Sequence, residues 1–247
     1  MLQSLLALIF PRNCVGCGEA LSGRAEKEQW EYLCADCAGQ LRSMGKEACA
    51  RCGVPIYGAT GGERTCSVCR ENPPAWDGVK SLLRYAGPTR GWVKNYKYHD
   101  ARYVEREWAK LLKAPAYAYL KEWLAGAVLI PVPLHPLKRL MRGFNQSETF
   151  ARLLLKTVQP PGAEINIHLL NRVRWTRQQA RLSREKRLKN MKGAFAIDEK
   201  FLTPELKKKR LVLIDDLLTT GATLPVCALV LKKAGFTKVD ILTVARG

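Results

Sequence analysis

Arg210-Leu-Val-Leu-Ile214-Asp215-Asp216-Leu217-Leu218-Thr219-Thr220-Gly221-Ala222-Thr223 is the stretch on which the fold of this 247-residue chain turns. Leu211 to Ile214 is an unbroken apolar run, the pattern of a strand buried on both faces of a parallel sheet. It ends abruptly at two acids. A loop of small hydroxyl residues and one glycine follows. Leu224 to Ala234 then reads as a helix, with Pro225 tolerated in its first turn and Gly235 stopping it after Lys232 and Lys233. Strand, acid pair, Thr/Gly loop and helix together form an anion cradle, because unpaired N–H groups and the helix dipole both point at the loop. The plainer alternative is a capped helix after a buried strand, with acids that merely face solvent. The expected class is α/β.

Upstream, Ala127 to Val132 is a second apolar run and reads as the first core strand. Pro133, Leu134 and His135 lie in the loop after it, ahead of Pro136. His135 reads as a turn residue, with a catalytic role as the alternative. Asn145 is placed to cap a helix, with Glu148 three residues on and Phe150, Leu153, Leu154 and Val158 on its apolar stripe; it serves equally as a candidate ligand. Gln159-Pro160-Pro161-Gly162 ends that helix.

Charge divides the chain. Residues 1–76 hold 8 Lys+Arg and 8 Asp+Glu, whereas residues 77–247 hold 33 and 14, which is the entire net charge of +19. Eight of the nine cysteines fall before residue 70. Two compositions predict two domains, 1–76 and 77–247, with the seam near Asn72-Pro73-Pro74-Ala75-Trp76, where consecutive prolines favour an extended connector. Nothing approaches the ~18 apolar residues of a membrane span. Met1 to Asn13 lacks the basic region and cleavage site of an export signal and reads as a short amphipathic helix.

The eight cysteines form four C-x-x-C pairs: Cys14/Cys17, Cys34/Cys37, Cys49/Cys52 and Cys66/Cys69. Cys14 to Cys49 and Cys17 to Cys52 are each offset by 35 residues, which marks an internal duplication. A two-residue spacing lets one turn aim two sulfurs at one ion, and four thiolates close a tetrahedral zinc site with no position left for water. A disulfide framework would require an oxidising compartment, and nothing here directs export. Two structural Zn²⁺ in a cytoplasmic protein is the reading. Ligation within each repeat is the simplest arrangement, and an interleaved cross-brace is the alternative. Cys227 lies apart, in the helix after the acid pair, and reads as core.

Two resemblances sharpen this. Residues 210–223 resemble the signature for 5-phosphoribosyl 1-pyrophosphate (PRPP) in type I phosphoribosyltransferases. That resemblance implies a five-stranded, mostly parallel sheet flanked by helices. It also implies Asp215 and Asp216 as the catalytic-site acids on the ribose hydroxyls, and Thr219, Thr220, Gly221, Ala222 and Thr223 around the 5′-phosphate. Mg²⁺ would enter with PRPP. Residues Pro131 to Pro136, Arg142-Gly143-Phe144-Asn145-Gln146, Thr176-x-x-Gln179-x-x-Leu182, Arg187, Asn190 and Gly193-Ala194-Phe195 resemble the ComF competence family, which includes the gluconate-associated GntX proteins. Members join a double zinc ribbon to a phosphoribosyltransferase domain. The likeness runs from Cys14 to Arg246 and implies a role in DNA uptake, with single-stranded DNA and a helicase or recombination mediator as partners.

By the same resemblance Pro133, Leu134, Lys138 and Arg142 serve pyrophosphate, joined by Arg174, Gln179 and Arg187 from a loop that closes over PRPP. Arg172 to Lys192 carries nine basic residues and one acid, Glu185. Closure would shield the reacting carbon from water. A solvated basic helix is the bland alternative. A phosphate-backbone contact for single-stranded nucleic acid, with Trp175 as a stacking platform, is the third. The family's variable hood over the site has no evident insertion here, so the cysteine domain and Ala75 to His99 are expected to take its place. Lys207 to Arg210 reads as a solvated strand entry.

Overall fold

The computed structural model describes residues 12–21, 30–45, 48–56, 64–98, 102–176, 190–219 and 222–247. Its centre is a five-stranded sheet in the order β1-β7-β6-β2-β3, made of β1 (Gly78–Arg84), β2 (Val128–Pro131), β3 (Glu164–Ile165), β6 (Leu211–Leu218) and β7 (Val239–Arg246). All four pairings are parallel. A separate antiparallel pair, β4 (Leu170–Arg172) with β5 (Phe195–Ile197), brackets the basic segment. The α/β class and the five-stranded sheet flanked by helices are therefore as read from the sequence.

β6 explains the architecture. Val212 and Ile214 face one core with Trp92, Tyr96, Trp108, Phe150 and Leu154. Leu211 and Leu213 face a second core with Phe195, Leu224, Cys227, Ala228 and Leu231. A strand apolar on both pleats is buried on both faces only when helices cover each side, which parallel crossovers supply. Gln146–Val158 covers the first face and Thr223–Lys233 the second.

Two expectations are corrected. The chain enters the sheet before Ala127: β1 runs beside β7, from Gly78 opposite Asp240 to Arg84 opposite Arg246. Its apolar run is interrupted by Lys80 and Ser81, and the buried Ser81 hydroxyl is satisfied 2.7 Å from the Thr243 hydroxyl across the pair. Part of the segment assigned to a hood is thus an edge strand. Arg210 is not a solvated entry either, since its guanidinium lies 2.9 Å from the buried Asp240 and also donates to the Trp123 carbonyl.

The cysteine-rich segment packs as part of the same body. Cys14, Val15, Leu33 and Cys37 belong to the first core. The connector between the cysteine units, together with Ala50 of the second unit, also closes the free edge of β1. Met44 N–H donates to Leu82 C=O at 2.9 Å, Arg84 N–H to Arg42 C=O at 2.8 Å and Val79 N–H to Ala50 C=O at 3.0 Å. Covering an edge in this way satisfies groups that would otherwise template aggregation. The fully buried Glu107, on the helix Arg102–Lys113, accepts the Glu31 and Tyr32 N–H groups at 2.8 and 3.0 Å. The expected helix over Met1 to Asn13 falls almost wholly outside the described residues.

Candidate functional site

The acid pair follows the buried run Leu211–Ile214 within β6, which continues to Leu218, toward the carboxyl edge of the sheet where open α/β folds bind ligands. A pocket of about 200 Å³ opens there, and Lys138, Arg142, Arg172 and Lys97 line it with Pro133, Leu134, Asp215, Asp216 and Thr223. Gln146 and Ser147 also reach it.

Asp215 is fixed twice. Its Oδ1 accepts the Ser147 hydroxyl at 2.9 Å and the Asp216 N–H at 2.9 Å. Burial and the adjoining Asp216 carboxylate push its carboxyl up to about 7, against the opposing pull of Lys97 and Ser147. Asp216 is buried, and Lys97 Nζ stands 2.6 Å from its Oδ2. On the opposite wall, burial and the neighbouring Arg172 and Arg142 lower the Lys138 ammonium. A lysine disfavoured as an ammonium by burial and neighbouring cations marks a place where a polyanion is welcome.

The loop after β2 is held by Asn145, which donates from Nδ2 to Val132 C=O at 3.1 Å while its Oδ1 caps the helix Gln146–Val158 on Ser147 N–H at 3.1 Å. Asn145 is therefore a cap and a loop anchor. His135 caps the short helix Pro136–Arg142 through Nδ1 and packs edge-on against Trp175. That bears out its turn reading. Trp175 is half-exposed, with the Lys138 ammonium 5.2 Å from its ring centre.

Of the predicted site residues, Pro133, Leu134, Lys138, Arg142, Asp215, Asp216 and Thr223 converge on the pocket. Ala222 is buried at the start of the following helix, and Thr219 lies just before it. Arg174 sits apart from the pocket lining. It donates to the Asn190 and Lys192 carbonyls at 2.7 Å each and so closes the base of the basic segment. Thr220, Gly221, Gln179 and Arg187 lie outside the described residues, as does most of the basic segment. Sequence reasoning missed Lys97, Gln146 and Ser147 as lining, and took Arg172 only as the first residue of a basic run. Gln146 and Ser147 follow Asn145 directly and were within reach of that motif. Lys97 carried no signal, because helix packing alone brings it to the acids.

The cysteines gather into two sets, Cys14/Cys17/Cys34/Cys37 and Cys49/Cys52/Cys66/Cys69, with all four sulfurs of each set within 4.8 Å of one another. Ligation within each repeat is thereby chosen over the cross-brace. The Cys14–Cys34 and Cys52–Cys66 sulfur separations are 3.6 and 3.7 Å. A zinc tetrahedron with ~2.3 Å bonds has sulfur–sulfur edges of about 3.8 Å, whereas a disulfide needs about 2.05 Å. Gly16 and Cys34 N–H groups each approach Cys14 Sγ at 3.4 Å. Burial would raise that thiol, and these donors with Cys17 outweigh it, bringing it down to about 7. The donor set fits two structural zinc ions. Among the described residues these are the only convergent groups of three or more potential metal-ligating side chains. Cys227 is buried in the second core and its thiol is pushed well up by burial, in keeping with its core reading.

Among the described residues no helix is long and apolar enough to cross a membrane. Residues 5–73 match the double zinc ribbon domain family. Competence protein F of Haemophilus influenzae is 28% identical over 220 residues, covering 87% of this chain and 90% of that protein. DNA utilization protein YhgH of Escherichia coli K12 is 26% identical over 218 residues, covering 87% and 90%. Competence protein ComFC of Streptococcus pneumoniae is 27% identical over 216 residues, covering 87% of each. The resemblance to the ComF group drawn from the motifs is borne out by these relatives.

Proposed function

We propose that the chain binds PRPP with Mg²⁺ at the carboxyl edge of its sheet, transfers the phosphoribosyl group, and serves DNA uptake. The observation that carries the reading is the acid pair in the C-terminal half of β6, facing a pocket whose other wall is Lys138, Arg142 and Arg172. Asp215 and Asp216 would accept the ribose 2′ and 3′ hydroxyls, which charge-assisted bonds hold best. The helix beginning at Thr223 offers unpaired N–H groups to the 5′-phosphate. The basic wall would hold the pyrophosphate. Mg²⁺, when bound, adds charge neutralisation on the diphosphate oxygens. In the transfer itself the bond from C1 to the pyrophosphate oxygen breaks, the pyrophosphate departs with the electron pair, and an acceptor nucleophile bonds to C1 and gives up a proton. Lys138, Arg142 and Arg172 would stabilise the negative charge that grows on the leaving group. The names of the relatives supply the association with competence and DNA use.

A second reading, a DNA-binding adaptor that keeps the ligand site as a switch, is favoured by the charge. All of the +19 lies in residues 77–247. A phosphate backbone is attracted to such a surface in a salt-dependent manner, and a helicase or recombination mediator would be the protein partner.

Calorimetric titration with Mg²⁺–PRPP, paired with fluorescence anisotropy on labelled single-stranded DNA, tests both. Asp215→Asn combined with Asp216→Asn should abolish PRPP binding and leave DNA affinity in place. Reversing the charges at Arg181, Arg184, Lys186, Arg187 and Lys189 should lower DNA affinity and its salt slope. Unchanged PRPP binding by the double variant refutes the site assignment.

A further inference from the structure

The helix Pro88–Tyr98 is clamped at one side by the first zinc ribbon and carries Lys97 at its end. The clamp is tight. Gly91 lies so close to the ribbon that a Cβ built on it would stand 2.0 Å from the Gly16 carbonyl oxygen. One turn on, Asn95 Nδ2 donates to Val15 C=O at 3.0 Å. Val15 and Gly16 are the two residues between the zinc-ligating Cys14 and Cys17. Trp92, fully buried, meets Trp30 edge-on at 5.9 Å between ring centres. Two residues beyond Asn95, Lys97 reaches the buried Asp216 at 2.6 Å.

The second ribbon reaches the same site from the other end. Arg246, at the end of β7, donates from Nε to Cys52 C=O at 2.8 Å. Its Nη1 lies 3.4 Å from Leu218 C=O, the last residue of β6 before Thr219. The first cysteine cluster thus reaches the acids through the helix carrying Asn95 and Lys97, and the second reaches the entry to the phosphate loop through Arg246.

We propose that the zinc ribbons position the ligand site, the first by setting Lys97 on Asp216 through the Asn95–Val15 clamp and the second by setting Arg246 on Leu218. Lys97 is a positioning residue in this scheme. Its ammonium holds the Asp216 carboxylate in the orientation that a ribose diol requires and keeps a cation at the wall facing the diphosphate. Zinc makes the knuckle carrying Val15 and Gly16 rigid, since four thiolates on one ion fix the turn between them. Removing the metal frees the knuckle, the helix loses its stop, and Lys97 loses its place. By linkage the effect runs both ways, so a bound ligand must retain the zinc. This inference rests on the PRPP reading.

The test is the full-length, zinc-loaded protein in a chelator assay that reports zinc release by absorbance, run with and without Mg²⁺–PRPP, beside calorimetric PRPP titrations. At equilibrium with the chelator, PRPP should tighten zinc affinity by about 5-fold or more, the lower end of ordinary coupling between sites. Asn95→Ala should weaken PRPP binding several-fold and shrink that gain in zinc affinity. In a Lys97→Met background Asn95→Ala should have little further effect on affinity, because the contact it transmits is already gone. Gly91→Ala, which forces the helix off the knuckle without touching the pocket, should reproduce Asn95→Ala. Additive losses from Asn95→Ala and Lys97→Met, or zinc release indifferent to PRPP in the wild type, overturn the proposal. If wild type binds PRPP and the Asp215/Asp216 double variant does not, either result sinks the zinc coupling alone. If wild type does not bind PRPP, the site reading and this inference fall together.

Discussion

Replacing Asp215 by asparagine should stabilise the protein while removing its affinity for PRPP. Both contacts of the Asp215 side chain, from Ser147 Oγ and Asp216 N–H, go to Oδ1 at 2.9 Å. An amide oxygen accepts both equally well, so the substitution chiefly removes charge. A carboxyl raised from 3.8 to about 7 binds its proton more tightly folded than unfolded. Its favourable contribution is therefore complete below about pH 4 and is lost as pH rises toward 7. Above pH 7 the displacement corresponds to about 4 kcal/mol at 1.36 kcal/mol per pKa unit. The buried amide keeps part of the desolvation cost of a polar group, so about half of this, ~2 kcal/mol, is the expected gain for Asp215→Asn at pH 8. For a chain of this size that raises Tm by roughly 4–8 °C. At pH 4.5 only about a quarter of the gain should remain. Scanning calorimetry of the zinc-loaded wild type and variant at pH 4.5 and 8, with PRPP titrations alongside, measures both effects. A variant less stable than wild type at pH 8, or a gain independent of pH, would refute the argument that the pair is a strained site held for ligand binding.

Two further expectations follow from the packing. Elemental analysis should find about two zinc ions per chain, and chelation should shift tryptophan emission to the red, because the ribbon shares a core with Trp92 and Trp108; unchanged emission after complete zinc loss would contradict that shared core. Glu107→Ala should cost about 3 kcal/mol in urea unfolding, since it strands the Glu31 and Tyr32 N–H groups it now accepts, and a loss below about 1 kcal/mol would make the contact incidental.

The readings that held rest on short-range pattern. Two residues between cysteines and a 35-residue offset are enough to name the ligands of two metal sites. Leu211 to Ile214, apolar on both pleats, can only lie inside a parallel sheet, and the acids that end the run must then emerge at its carboxyl edge. Asn145 and His135 acted as caps because the N–H groups they satisfy are two residues away. What failed was long-range. β1 went unread because Lys80 and Ser81 break its apolar run, and only its pairing with β7 and the Thr243 hydroxyl make that tolerable. Resemblance assigns Arg174 to the closing loop, whereas in the structure it donates to two carbonyls across the base of the basic segment and lies apart from the pocket lining. The wall of the pocket was decided by tertiary structure. Lys97, Ser147 and Arg172 come from a helix end, a helix start and a separate hairpin, and parallel crossovers gather all three at one edge of the sheet. Local spacing encodes which atoms can meet within a turn, whereas the neighbours of Asp215 and Asp216 were chosen by how the helices and the β4–β5 pair close around the carboxyl edge of the sheet.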